Sequence, residues 1–230
     1  MLPFRVAAAD LIIGAACAGC GRPAITLCDR CIPDFVPVPR EVWPRPTPQG
    51  LLVPTRVRPF ASAVHGGPVR SALAQYKEEG QFGLLRPLGH LLAASVCAAA
   101  PADGRLALVP IPSSRRSNAR RGYDAVGELA RTAAASLRGI GVDCRLEARL
   151  RQARRVADQS GLGARERALN MAGALASSSP RGPGGRAVIV VDDIITTGAT
   201  LAEAVRVLDQ VGARPIGIAV VAATTRHSSR

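Results

Sequence analysis

From about residue 60 to the C-terminal end, apolar positions alternate between helical and strand periods. "PVRSALAQYKEEG" (68–80) opens on proline and closes on glycine, the punctuation of a helix. Between about 82 and 100, Leu84, Leu85, Leu88, Leu91 and Leu92 share one helical face. "LALVPIP" (106–112) predicts a short strand running into a loop, "GYDAVGELARTAAASLRG" (122–139) a third helix, and "GVDCRLEAR" (141–149) another strand. "AVIVV" (187–191) is apolar at every position, as expected of a strand covered on both faces of a parallel sheet. "TLAEAVRVLDQVGA" (200–213) is amphipathic through Leu201, Ala204, Val205, Leu208 and Val211, with Gly212 as its stop, and "IGIAVVAATT" (216–225) predicts the last strand. This alternation predicts an α/β fold built on a doubly wound parallel sheet, which takes its ligands at the carboxyl ends of the strands.

Two zones precede that domain. Residues 33–59 carry Pro33, Pro37, Pro39, Pro44, Pro46, Pro48, Pro54 and Pro59, a density that forbids regular helix and predicts an extended linker. Residues 1–32 hold four of the six cysteines. The expected organisation is therefore a cysteine module (1–32), a proline-rich linker (33–59) and one α/β domain (60–230). At the N-terminus "MLPFRVAAADLIIGAACAGC" has only Arg5 as positive charge and carries Asp10 where an export signal would be apolar, so it predicts a short first helix. No apolar run is long enough to span a bilayer, so no membrane insertion and a cytoplasmic location are expected.

An apolar fraction of 47% supports a core in a 230-residue chain, whereas the formal net charge of +13 bears on partners. Of the 30 basic residues only Lys77 is lysine. Guanidinium groups grip phosphates bidentately, but a genome-wide bias towards arginine codons accounts for the charge equally well.

The stretch that carries chemistry is "VIVVDDIITTGATL" (188–201). Gly198 permits a tight turn and close backbone approach, amides opening a helix favour an anion, and Thr196, Thr197 and Thr200 add hydroxyl donors. Together they suit a monophosphate. Asp192 and Asp193 beside it would repel that phosphate unless sugar hydroxyls donate to them or a Mg²⁺ intervenes. A phosphorylated ribose satisfies both halves. A Walker B strand would need a phosphate-binding loop ending in Gly-Lys-Ser/Thr, and Lys77 lies in "LAQYKEEG". "RGPGG" (181–185) precedes its strand, the wrong order for a dinucleotide fingerprint.

This stretch resembles the phosphoribosyl pyrophosphate (PRPP) signature of type I phosphoribosyltransferases. The resemblance implies that Asp192 and Asp193 hold the ribose 2′ and 3′ hydroxyls and that Thr196, Thr197, Gly198, Ala199 and Thr200 cradle the 5′-phosphate. Upstream, "LVPIPSSRRSNARRGYD" (108–124) places Ser113, Ser114, Arg115, Arg116, Arg120 and Arg121 after a strand. Cations there suit a leaving pyrophosphate, and Ser113, Arg115 and Arg121 are its expected ligands. Together with Gln159, Leu162, Arg167, Asn170, Gly173 and the N-terminal cysteines, these features resemble the ComF family of competence-associated phosphoribosyltransferase-like proteins. The resemblance covers nearly the whole chain. Where that family reads Arg-Gly-Phe-Asn-Gln, this chain has Arg121, Gly122, Tyr123, Asp124 and Ala125.

Cys17, Cys20, Cys28 and Cys31 form two CxxC pairs separated by seven residues. Two such knuckles complete a tetrahedral Zn²⁺ site of structural type, with disulfides and an iron–sulfur cluster as alternatives. Cys97 and Cys144 are expected to be packing residues. Two functions remain open. One is a phosphoribosyltransferase using PRPP with Mg²⁺ and a nitrogen base. The other is a non-catalytic PRPP- or nucleotide-sensing or DNA-binding accessory of DNA uptake, engaging DNA or the uptake machinery.

Overall fold

The structure, a computed structural model, describes residues 16–24, 26–52, 57–101, 104–154, 164–179 and 184–224. The expected first helix, Gln159 and Leu162 lie outside the described residues. Eight strands are described: β1 Arg40–Glu41, β2 Arg58–Val64, β3 Leu106–Pro110, β4 Cys144–Leu146, β5 Leu150–Gln152, β6 Leu175–Ser177, β7 Ala187–Ile195 and β8 Pro215–Ala223. The helices are α1 Gly67–Ala74, α2 Leu85–Ala99, α3 Arg115–Arg121, α4 Ala125–Gly139, α5 Ala164–Met171 and α6 Ala199–Gln210.

Six strands form the central sheet in the order β1-β2-β8-β7-β3-β4, and β5 pairs antiparallel with β6 in a separate ribbon. Only β1 is antiparallel within the large sheet. The expected α/β class and parallel sheet are thus present. Apolar residues cover both faces of the sheet. Leu88, Leu91 and Leu92 of α2 and Leu129 and Ala133 of α4 pack with Ile189 and Val191, while Leu201, Val205 and Leu208 of α6 pack with Val188 and Val190. The chain leaving β3 therefore continues into a helix on one face, and the chain leaving β7 into a helix on the other. Because β3 and β7 are neighbours, their loops diverge and open a crevice at the carboxyl edge, which is where sheets of this class take ligands.

Three differences from the sequence expectations matter for that crevice. The strand expected over 187–191 runs on to Ile195, so Asp192 and Asp193 are strand residues near its carboxyl end rather than the first residues beyond it. Its polar tail breaks the apolar run that periodicity detects, yet Ile194 and Ile195 still pair with Ala222 and Ala223 of β8. Second, β2, "RPFASAV", has too few large apolar residues to announce a strand. It is buried all the same, with Ser62 and Ser95 hydrogen-bonded to each other at 2.7 Å. Third, the proline-rich stretch is folded against the domain. β1 adds to the sheet edge, and Leu51 is completely buried against α6.

Phe82–Ala99 has the length and the hydropathy (1.4) of a membrane-spanning helix, contrary to the expectation that no run is long enough. Leu84, Leu88, Leu91, Leu92 and Val96 are completely buried against the sheet, so its apolar character serves the core.

Candidate functional site

At the exit of β7 the backbone turns through Gly198, whose φ of +73° lies in the left-handed region, and enters α6 at Ala199. Thr197, Gly198 and Ala199 are buried, Thr200 is half-buried and Thr196 is exposed. Asp192 and residues 194–201 line a shallow hollow of about 30 Å³, room for roughly one water, so it can receive the oxygens of a phosphate at its mouth. A Cβ on Gly198 would stand 2.9 Å from Cγ of Pro44 and 3.4 Å from Cδ1 of Leu51, so the proline-rich segment roofs the turn. Gly198→Ala combines this clash with an unfavourable φ. It is expected to destabilise the fold by about 2 kcal/mol and to reshape the loop, measurable as a lowered urea midpoint.

The two carboxylates have unlike surroundings. Asp193 is 5% exposed and ion-paired with Lys77. Burial works to raise its pKa, but the adjacent Lys77 ammonium outweighs this and holds it below the ordinary carboxylate value. Asp192 accepts a hydrogen bond from the amide of Asp193 at 2.9 Å. Burial, and then the charge of Asp193, push its pKa well above the ordinary value. One carboxylate is thus kept ionised while the other holds its proton to higher pH.

Across the crevice, Ser113 donates to Oδ1 of Asp124 at 2.9 Å, and Ser114 caps α3 by accepting from the amide of Ser117 at 2.9 Å. Asp124 and Tyr123, two of the departures noted in the sequence, are therefore both in use. The Tyr123 hydroxyl donates to the carbonyl of Tyr76, and its ring packs 4.9 Å from Phe82. Arg121 is nearly buried and pairs with Glu78 at 2.6 Å, as does the exposed Arg120, so Glu78 gathers both arginines at the crevice. The buried Nε of Arg121 and Oδ1 of Asn118 have no hydrogen-bond partner among the described residues, which marks α3 as a surface ready for a further polar group. Arg115 is the first residue of α3, and its side chain lies outside the described residues. Of the Asn170 segment, Gly173 (φ +69°) donates its amide to the buried Glu203 of α6 at 2.9 Å, which ties that segment to the phosphate turn's helix.

Sequence reasoning missed Lys77, Glu78 and the proline-rich segment. Val42, Trp43, Pro44 and Arg45 form one wall of a cleft of about 250 Å³ whose floor is Ile195, Thr196, Ala223 and Thr224, the ends of β7 and β8. Trp43 is fixed by donating its Nε1–H to Glu41, which also pairs with Arg58. Nothing in the spacing of the prolines signalled this contact, although a tryptophan in a proline-rich stretch is a hint of an anchored segment.

The four cysteines come together. Their Sγ atoms all lie within 4.8 Å of one another, and all six cysteines of the chain are free thiols. Tetrahedral zinc at about 2.3 Å from each sulfur implies sulfur separations of about 3.8 Å, which this cluster meets with little movement. The amide of Cys28 donates to Sγ of Cys17 at 3.2 Å. Burial raises the Cys17 pKa, but hydrogen bonds from the backbone of Cys28, Cys20 and Gly19 outweigh it and bring the thiol down to about 6. Burial and the neighbouring sulfurs push Cys31 up; the four sulfurs could together hold a metal ion.

Residues 119–230 match the family model described as "Phosphoribosyl transferase domain". That stretch includes β4, β7 and β8, and the chain before it supplies β1, β2 and β3 of the same sheet. Among curated proteins, adenine phosphoribosyltransferase of Rhodococcus opacus (strain B4) is 57% identical over 37 residues, 16% of this chain and 21% of that protein. The adenine phosphoribosyltransferase of Rhodococcus jostii (strain RHA1) is 54% identical over 37 residues, with the same coverage. The chain thus matches about a fifth of the length of these relatives. The mostly parallel sheet and the acid–threonine–glycine turn at its carboxyl edge thus accompany a match of residues 119–230, just under half of the chain, to the phosphoribosyl transferase domain model.

Proposed function

We propose that this protein binds PRPP and transfers its phosphoribosyl group to or from a nitrogen base. The observation that supports this reading is the pairing of β3 with β7, since the carboxyl end of β3 leads into the arginine-bearing α3 and that of β7 carries the two carboxylates and the threonine–glycine turn. Asp192 and Asp193 accept the ribose hydroxyls, and the amides and hydroxyls of residues 196–200 hold the 5′-phosphate. Ser113, Arg115 and Arg121 attend the pyrophosphate. As the bond from C1′ to pyrophosphate breaks, negative charge grows on the leaving group and positive charge on the sugar. Arginines stabilise the former and the ionised Asp193 the latter. A Mg²⁺ bound along with PRPP would supply further positive charge to the leaving group. No dedicated base is required when positioning and electrostatics lower the barrier.

The acceptor is assigned to the cleft walled by Trp43, which shares Thr196 with the phosphate turn. Stacking on an aromatic face contributes about 1–3 kcal/mol per base. Trp43→Ala is expected to raise the acceptor KM about tenfold while leaving PRPP affinity intact, as steady-state kinetics in both substrates would show.

The cysteine module (residues 1–32) is assigned a structural Zn²⁺, with all four positions filled by sulfur and none open to substrate. A second reading, a DNA-binding or PRPP-sensing accessory of the ComF type, draws on exposed arginines of the cysteine module (Arg22, Arg30) and of the crevice rim (Arg116, Arg120). The experiment that separates them is calorimetric titration of metal-loaded protein with PRPP and Mg²⁺, with the Asp192→Asn/Asp193→Asn variant as control. Bases would then be screened for pyrophosphate release. Micromolar binding lost in the variant, with turnover of any base, supports the transferase. DNA affinity with a steep salt slope and no pyrophosphate release favours the accessory role, and absence of PRPP binding removes both PRPP readings.

A further inference from the structure

Lys77 is the one lysine among 30 basic residues, and it sits in the π-helical turn Gln75–Glu79 that ends on Gly80 (φ +68°). A π turn breaks the regular i→i+4 ladder and redirects the side chains it carries, and such turns recur at functional sites. Here four consecutive side chains reach four different parts of the molecule. Gln75 donates to the carbonyl of Ala18 in the cysteine module at 2.9 Å. Tyr76, completely buried, donates its hydroxyl to the carbonyl of Ala125 at 2.8 Å, and its own carbonyl accepts from Tyr123. Lys77 pairs with Asp193, and Glu78 pairs with Arg120 and Arg121. The backbone that presents Lys77 is therefore braced on both sides.

We propose that Lys77 is a positioning residue of the phosphorylated-ribose site, holding the Asp193 carboxylate in place from the π turn while Glu78 of the same turn holds the arginines opposite. The ligand in this statement rests on the phosphoribosyl reading above. An ammonium is a compact point charge, so it can hold one carboxylate oxygen without the two-pronged grip by which a guanidinium would cover both. That explains a lysine at this position in a chain that otherwise uses arginine. It also explains how Asp193 stays ionised inside the protein, next to another carboxylate, since an unpaired buried charge is costly. Asp192, His65, Arg121, Tyr76 and Tyr123 are the other titratable or charged groups coupled to this pair. The directions agree: Lys77 is raised above its ordinary value because Asp193 outweighs the effect of burial, and Asp193 is lowered.

The test uses the full-length, metal-loaded chain with Lys77→Met and Lys77→Arg. Carboxyl titration by NMR follows Asp193 in the ligand-free protein, and calorimetry follows PRPP with Mg²⁺ over a pH range. Wild-type Asp193 is expected to stay ionised between about pH 6 and 8, so the pH dependence of wild-type binding there follows Asp192 alone. In Lys77→Met the Asp193 pKa moves up past the ordinary carboxylate value. PRPP affinity then falls at least about tenfold near pH 7 and recovers as pH rises, because the ionised carboxylate is the better acceptor for ribose hydroxyls. Lys77→Arg returns the titration towards wild type, which a merely space-filling role would not predict. An Asp193 titration and PRPP affinity both unchanged in Lys77→Met overturn the proposal. If wild type itself binds no PRPP, the function reading fails, and Lys77 is judged on the titration alone. An unmoved Asp193 pKa in Lys77→Met then rejects the pairing.

Discussion

Asp192→Asn is expected to lose PRPP while gaining stability. Asp192 is forced to share the interior with the ionised Asp193, and burial together with that neighbour raises its pKa well above the ordinary value. A folded-state pKa above the unfolded one means that the native state is favoured below the unfolded value, near pH 3.9, and disfavoured progressively as pH rises through the folded value. Asparagine has no charge to impose, so the gain in melting temperature should be near zero below about pH 4 and grow towards pH 8. A relief of about 1 kcal/mol corresponds to about 2–4 °C in a chain of this size. On the proposed function the same change also removes an acceptor for a ribose hydroxyl, worth about 1.5–3 kcal/mol once rising pH has ionised the carboxyl, or about 10- to 100-fold in affinity. Thermal scans across pH, paired with PRPP calorimetry, check both halves. A variant that keeps wild-type affinity would remove Asp192 from the ribose site. Asp193 carries the opposite sign: its lowered pKa contributes stability above the unfolded value that is lost as pH falls through the folded one.

Removing the metal from the cysteine module is expected to have the largest effect on structure. Sulfur-ligated zinc modules of this kind draw about 10–16 kcal/mol of folding energy from the ion, and the segment around Cys17–Cys31 has little core of its own. Its buried residues Ala18 and Phe35 pack into the main core, and the carbonyl of Ala18 accepts from Gln75. A Cβ on Gly19 would meet Pro68 at 2.9 Å and Sγ of Cys31 at 2.7 Å, so the knuckle lies directly on α1. Strong chelation, or Cys17→Ser, should release about one zinc per chain, make four thiols reactive and uncover the side of the domain that carries the π turn. Elemental analysis, thiol counting and a thermal scan read these outcomes. A coloured protein containing iron would replace zinc by a cluster. A protein whose melting temperature ignores chelation, with the four cysteines oxidised in pairs, would sink the metal assignment.

Much of this was written locally in the chain. The two CxxC pairs gathered as spacing implied, the helices over 85–99 and 199–210 follow apolar stripes that period alone detects, and the helix begun at 67 follows its proline and glycine punctuation. Glycine at 198 sits at the positive φ that its place between strand and helix demanded. Harder to read was anything made by residues far apart in sequence. Lys77 and Asp193 are 116 positions apart, so no periodicity relates them. Strand β2 is small-residued and depends on β8 and α2 for its burial, and the brief polar strands β5 and β6 exist only as each other's partners. The proline-rich segment shows the limit most clearly. Proline density excludes α-helix among the described residues of this segment, which form only short 3-10 turns at Ile32–Phe35 and Gln49–Leu51, but whether an extended stretch hangs free or lies on a surface is decided by what it meets, and here Leu51 and Pro44 meet α6 and the turn at Gly198.

Short-range order in this chain was therefore enough to establish the class of the sheet, the gathering of the four sulfurs and an acid–threonine–glycine turn between strand and helix. The folded chain alone decided that β7 extends past Asp192 and Asp193, that one lysine keeps the second of them charged, and that Trp43 walls a cleft beside the turn. The division has a physical cause. Dihedral preference and apolar period act over a few residues, whereas ion pairing, burial and the shape of a cleft are set by distance in space.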